Sequence, residues 1–152
     1  MLFLVRHAEA GVRADWHSDD RTRALTTRGH AQANAIADRL APLVSGALVS
    51  SPYVRCVQTL EPLGRHAGRT IGTDDRLAED TGFEGTIELL QTVPEGSALC
   101  SHGDVIPDTI AALERRGCRI DGAPDWRKGS VWVLHREGSD VVSATAWPPP
   151  DA

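Results

Sequence analysis

Short apolar runs alternate along this chain with longer stretches in which apolar residues recur every three or four positions. The first run, Leu2-Phe3-Leu4-Val5, has no polar interruption and stops at Arg6-His7. Such a run predicts a strand buried on both faces of an α/β sheet. Ala47-Leu48-Val49-Ser50 and Ser97-Ala98-Leu99-Cys100-Ser101 repeat the pattern, and Thr70 to Thr73 repeats it weakly. Between the first two runs, Ala33, Ile36, Ala37, Leu40 and Leu43 form one apolar helix face, opened by Thr26 or Thr27 as cap and ended by Pro42 and Gly46.

Ser51-Pro52 predicts the cap and first-turn proline of a second helix, which carries Arg55, Cys56, Gln58 and Thr59 and is stopped or bent at Pro62. A short helix is expected over Thr86 to Gln91. A longer one, about Val105 to Arg116, buries Ile106, Ile110 and Leu113 and stops at Gly117. Val131 to His135 and Val141 to Trp147 predict an antiparallel hairpin through a turn at Arg136 to Asp140. Gly11 to Arg23 is polar and charged and reads as an exposed loop near the mouth of any site at Arg6-His7. Strands alternating with helices, followed by a hairpin, indicate a three-layer α/β fold with a mixed sheet.

Composition narrows the class. The 152 residues fit one domain, 1–152, with a core of its own and no internal repeat. A formal charge of −5 argues against general affinity for nucleic acid polymers or an anionic membrane. Cys56, Cys100 and Cys118 are widely spaced, without a C-x-x-C pair, and read as reduced core thiols. No apolar run reaches membrane-spanning length, and the apolar start is too short for a signal peptide. The expectation is a soluble, cytoplasmic protein.

Chemistry gathers at strand ends. The first strand ends in Arg6-His7, the strand over Ala98 to Ser101 ends in His102, and the strand over Ala47 to Ser50 feeds the helix carrying Arg55. If these strands are parallel neighbours, two imidazoles and two guanidiniums meet at the carboxyl edge of the sheet, where α/β folds hold ligands. Guanidinium forks match phosphate oxygens. The set suits a tetrahedral oxyanion, and no group of carboxylates ready to bind magnesium accompanies it. Each of these residues alone also has an ordinary structural explanation; their convergence carries the reading. His17 is a further loop contributor, whereas His30, His66 and His135 read as structural.

Several segments resemble those of one family. Leu4-Val5-Arg6-His7-Ala8-Glu9 resembles the Arg-His-Gly-Glu signature of the histidine phosphatase superfamily, which includes the phosphoglycerate mutases. Leu25-Thr26-Thr27-Arg28-Gly29-His30-Ala31-Gln32-Ala33 is similar to its Leu-Thr-x-x-Gly-x-x-Gln-Ala helix start. Ser50 to Thr59 resembles its Ser-x-x-x-Arg-x-x-Gln-Thr segment, and Ser101-His102-Gly103 its second histidine motif. The resemblance spans Leu2 to Leu134. It is nearest to the short phosphohistidine phosphatases and to the phosphatase half of certain actinobacterial Nudix fusions, to which Arg127 to Trp132 is also similar; no Nudix box is present.

The resemblance implies a phosphoglycerate mutase-like α/β/α sandwich, with a mostly parallel sheet and a C-terminal antiparallel hairpin. It implies a metal-independent phosphatase, without cofactor, acting on a phosphorylated small molecule or a phosphoprotein. His7 would form a phosphohistidine, while Arg6, Arg55 and His102 hold the phosphoryl oxygens. Glu79, in Arg76-Leu77-Ala78-Glu79, is the favoured proton donor, with Glu84 and Asp104 as alternatives. Ala8 replaces the usual glycine, and the Gly11 to Arg23 loop lacks the usual mutase substrate contacts, so mutase activity is not expected. The alternatives are a non-catalytic phospho-ligand binding module and, more weakly, a metalloenzyme using His7 and His102, which leaves the arginines facing a cation. Substrate identity and oligomeric state have no readable code.

Overall fold

The computed structural model describes residues 1–150. In chain order it forms β1 (Leu2–Arg6), α1 (Thr27–Leu40), β2 (Leu48–Ser50), α2 (Val54–Ala67), β3 (Ile71–Thr73), α3 (Glu84–Thr92), β4 (Ala98–Ser101), α4 (Val105–Arg115), β5 (Arg119–Asp121), β6 (Val131–Glu137) and β7 (Asp140–Trp147). The sheet order is β3-β2-β4-β1-β6-β7-β5, and only β6 runs against the rest. The expected mixed, mostly parallel sheet is therefore present.

Strand alternation builds the three layers. On β1, Leu2 and Leu4 face one side, where Ile87, Leu90, Ile106, Ile110 and Leu113 of α3 and α4 cover them. Phe3 and Val5 face the other, against Ile36, Ala37, Leu40, Leu60 and Leu63 of α1 and α2. β6 divides in the same way, Trp132 and Leu134 to the first side and Val131 and Val133 to the second. A run buried on both faces needs no polar alternation, as the sequence suggests.

Helix ends follow local chemistry. Thr26 caps α1 by accepting from the Gly29 N–H at 3.0 Å. Gly29 sits where a Cβ would stand 1.9 Å from the carbonyl oxygen of Glu9, so the chain after β1 can lie against this helix only if the residue is glycine.

Four local expectations are corrected. Leu43 lies beyond the end of α1 and is 37% exposed, because the helix stops before it. Ser51-Pro52 precedes α2 instead of capping it; Tyr53 is the cap position. Pro62 does not end α2, which continues to Ala67 and stops at left-handed Gly68 (φ 65°). Burial of Leu60 and Leu63 on either side of the proline outweighs its lost hydrogen bond. The hairpin turn shrinks to Gly138-Ser139, since pairing extends to Glu137 and Asp140. β5, three residues against the edge of β7, has too little apolar content to be foreseen.

Candidate active site

The register of two strands places both histidines. Arg6 on β1 pairs with Ser101 on β4, so His7 and His102 emerge side by side, one step past the paired ends. His7 N–H donates to Ser101 O at 3.2 Å, and the two ring centroids lie 5.6 Å apart. On the far side of β4, Ser50 pairs with Cys100, and α2 then carries Arg55 back over the same edge. The parallel neighbours β2, β4 and β1 thus assemble the predicted group.

His7 is held in one tautomer. Its Nδ1 lies 2.8 Å from Ala8 O, and a carbonyl only accepts, so the ring hydrogen is on Nδ1 and the free lone pair on Nε2. Burial, opposed in part by that hydrogen bond and reinforced by the His102, Arg55 and Arg6 charges, lowers the His7 pKa to about 3. The imidazole is therefore neutral and nucleophilic across the physiological range. Ala8 is accommodated without difficulty: it is fully buried beside Ala10, Leu25 and Ala33, and its N–H donates to Thr59 Oγ1 at 3.0 Å.

His102 is fixed by the segment between β2 and α2. Its Nε2 is 2.8 Å from Ser51 Oγ, which already accepts from Tyr53 N–H at 3.2 Å. The Ser51 hydroxyl can donate to Nε2, an arrangement that places the ring hydrogen on Nδ1. That Nδ1 is 3.8 Å from Glu79 Oε1 and has no hydrogen-bond partner.

Arg6 donates through Nη1 to Trp126 O and lies over Gly103. Burial lowers its pKa, opposed by Asp104. Arg55 is completely buried; its Nη1 donates to Asp20 O at 2.8 Å, and its Nη2 to Asp20 Oδ2 at 3.0 Å and Glu79 Oε1 at 3.1 Å. The ring of Tyr53 packs 4.8 Å from its guanidinium carbon.

Of the four buried side-chain polar atoms without a partner among the described residues, three belong here: Arg6 Nε, Arg55 Nε and His102 Nδ1. Buried donors left unpaired are costly. Three of them beside a nucleophilic nitrogen describe a cradle for an oxyanion. Arg6 and His7 line a cleft of about 1190 Å³, while the fully buried Arg55 and His102 are not on its wall.

The structure separates the carboxylate candidates. Glu79 lines the cleft and is ion-paired with Arg13 at 2.6 Å as well as with Arg55. Asp104 also lines the cleft but accepts from Asp80 N–H at 2.8 Å. Glu84 is exposed at the start of α3, and neither it nor His17 is on the cleft wall. No group of three or more His, Cys, Asp or Glu among the described residues is arranged to hold a metal ion.

Sequence reasoning missed Asp20, Arg13 and Ser51. The loop over 11–23 is largely exposed and borders the cleft, in line with the sequence, but Arg23 is 5% exposed and Asp20 reaches the buried Arg55. Asp19-Asp20 has no periodic signal, because a short 3-10 turn (Asp20–Thr22) positions it. Ser51 resembles a helix cap in sequence, but its hydroxyl contacts His102 Nε2.

A mixed α/β sheet presenting two imidazoles and two guanidiniums at its carboxyl edge has the donors that a phosphoryl group would need. The chain belongs to the histidine phosphatase superfamily (branch 1), whose model matches residues 2–98. His102 lies beyond that match and is placed by the register of β4 on β1. The chain is 34% identical to the 8-oxo-(d)GTP phosphatase of Mycolicibacterium smegmatis, over 99% of its own length and 48% of that protein. It thus spans about half the length of this relative.

Among solved structures, the protein histidine phosphatase SixA complexed with tungstate shares the fold, with a TM-score of 0.74 at 23% identity, covering 95% of this chain and 92% of that one. A protein assigned as the phosphohistidine phosphatase SixA of Agrobacterium tumefaciens aligns with a TM-score of 0.65 at 27% identity, over 88% and 89% of the two chains. No helix among the described residues is long and apolar enough to cross a membrane.

Proposed function

We propose that the chain hydrolyses a phosphorylated substrate through a covalent phosphohistidine on His7, without a metal ion. The observation that carries this reading is the cluster of unpartnered buried donors, Arg6 Nε, Arg55 Nε and His102 Nδ1, around a histidine whose Nε2 lone pair is free. His7 Nε2 attacks phosphorus, the bond to the leaving oxygen breaks, and charge on the three equatorial oxygens is met by those donors. Water then attacks the phosphohistidine, the N–P bond breaks, and inorganic phosphate leaves. Both Nη groups of Arg55 are engaged by Asp20 and Glu79, which leaves Nε as its uncommitted donor.

Glu79 is the carboxylate best placed to protonate a poor leaving group, through its position on the cleft wall beside His102. The substrate classes are a phosphomonoester or a protein phosphohistidine. The 8-oxo-(d)GTP phosphatase relative adds nucleoside phosphates to them.

The test is hydrolysis of an aryl phosphate in EDTA, with His7→Ala as comparison. Turnover in the parent, with loss of both turnover and an acid-labile phosphoenzyme in the variant, is the expected result. Undiminished turnover by His7→Ala overturns the mechanism. Vanadate binding without any turnover by the parent would leave a phospho-ligand binding module.

A further inference from the structure

The chain on either side of Glu79 is tied to the chain on either side of His102. Before Glu79, Leu77 O accepts from Ser101 Oγ at 2.8 Å, and Ser101 immediately precedes His102. After Glu79, Asp80 N–H donates to Asp104 Oδ2 at 2.8 Å, and Asp104 lies just beyond His102-Gly103. The loop leading into α3 is thus stapled at two points to the turn that leaves β4. Between the staples, Glu79 Oε1 stands 3.8 Å from His102 Nδ1 and 3.1 Å from Arg55 Nη2.

Local geometry shows what the second staple holds. Asp80 is the single non-glycine residue with a positive φ, 62°, among the described residues. Outside glycine that left-handed conformation is uncommon, and it persists where neighbouring groups hold it. Thr81 closes the turn from within by donating through Oγ1 to Ala78 O at 2.7 Å, and Asp104 holds it from outside. Asp104 stands at the cap position of α4, where a carboxylate ordinarily accepts from its own helix. It makes no such bond, and its side chain reaches back to Asp80 instead.

We propose that Asp104 is a positioning residue for the Glu79 carboxyl: with the Ser101 staple as the fixed point, its bond to Asp80 N–H sets Glu79 where it can give a proton to the leaving oxygen. This assignment rests on the reading of Glu79 as proton donor and adds what holds that donor in place. Asp104 itself touches no reacting atom, since its Oδ2 is committed to Asp80. When His7 Nε2 attacks phosphorus, the bond to the leaving oxygen breaks with its electron pair on that oxygen, which takes the Glu79 proton. The water that cleaves the phosphohistidine returns a proton to Glu79. The negative charge of the arriving phosphoryl group favours the protonated carboxyl. A donor held too far from the leaving oxygen loses most of its effect, so the staple matters only where a proton is needed.

The experiment compares phenyl phosphate, a poor leaving group, with para-nitrophenyl phosphate, a good one of similar shape, as the ratio of their kcat/KM values. The variants are Glu79→Gln, Asp104→Ala, Asp104→Asn and the double variant Glu79→Gln with Asp104→Ala; Asp104 is exposed, so its replacement leaves the core untouched. The phenyl-to-nitrophenyl ratio should fall about tenfold in Glu79→Gln and about fivefold in Asp104→Ala, where the donor is displaced but present. Asp104→Asn keeps an acceptor for Asp80 N–H and should recover most of that loss. The double variant should fall no further than Glu79→Gln alone. Equal losses in Asp104→Asn and Asp104→Ala would mean that Asp104 acts through its charge on Arg6, and overturn the proposal. A ratio lowered by Glu79→Gln but unmoved by Asp104→Ala overturns the positioning role and leaves Glu79 as donor. A ratio unmoved by Glu79→Gln, or hydrolysis of the nitrophenyl ester alone, overturns the donor reading and the positioning role with it. Hydrolysis of neither ester overturns the phosphatase reading beneath both.

Discussion

Gly103 is the floor beneath Arg6. A Cβ on Gly103 would lie 2.6 Å from Arg6 Nη2 and 2.7 Å from its Cζ, so the residue after His102 must lack a side chain for this guanidinium to reach the site. The same guanidinium is held from the other side by Trp126 O. Strand β4 therefore supplies His102 and, one residue later, the space in which Arg6 of the neighbouring strand lies.

Gly103→Ala should for that reason be a functional lesion more than a structural one. The atoms in the way are the far end of a long side chain, which can swing aside at small cost in stability. Displacing an oxyanion donor by about an ångström typically costs about a hundredfold in rate. The expected outcome is a kcat/KM for aryl phosphate lowered about a hundredfold, with a thermal midpoint within a few degrees of the parent. Kinetics and a melting curve on the same preparation check it.

Arg55→Met should remove both an oxyanion donor and a buried counter-charge. Loss of the donor predicts a fall in kcat of roughly 10²–10³. Asp20 and Glu79 lose their buried partner while keeping Arg23 and Arg13 respectively. The stability cost is therefore expected at about 3 kcal/mol, the lower end for a broken buried pair. Urea unfolding measures the cost, and turnover at saturating substrate measures the rate.

His7 makes stability depend on pH with a definite sign. Its pKa is about 3 in the folded protein against about 6.5 for an unperturbed histidine, with burial as the main cause. Between these values the unfolded chain binds a proton that the folded chain does not, so stability rises with pH from about 3 to about 6.5 and is lost as pH falls through that window. His7→Gln removes this contribution. Its stability should change less between pH 4 and pH 7 than that of the parent, by urea unfolding at the two values. An acid limb in the parent's kcat/KM above pH 4 must come from another group.

Much of the fold was legible because its signals are local. Uninterrupted apolar runs marked β1, β2 and β4, and spacing of three and four marked α1 and α4, since burial on both faces or on one stripe leaves that trace in composition. Gly29 was visible as part of a motif, but its reason was not: the Glu9 carbonyl that excludes a Cβ comes from a different segment. β5 left no trace, because an exposed edge strand needs little apolar content.

Residue types and strand ends alone pointed to Arg6, His7, Arg55 and His102 meeting at one sheet edge, because a buried parallel sheet presents its chemistry there. Tertiary structure decided the rest. The Arg6-to-Ser101 register set how far His102 stands from His7. The Ala8 carbonyl chose which His7 nitrogen carries hydrogen, and the Ser51 hydroxyl anchored the His102 ring. Asp20 and Glu79, from loops without periodicity, closed on Arg55. Hydrogen-bond geometry between segments far apart in the chain depends on positions to a fraction of an ångström, and the order of residue types along a chain does not encode those positions locally.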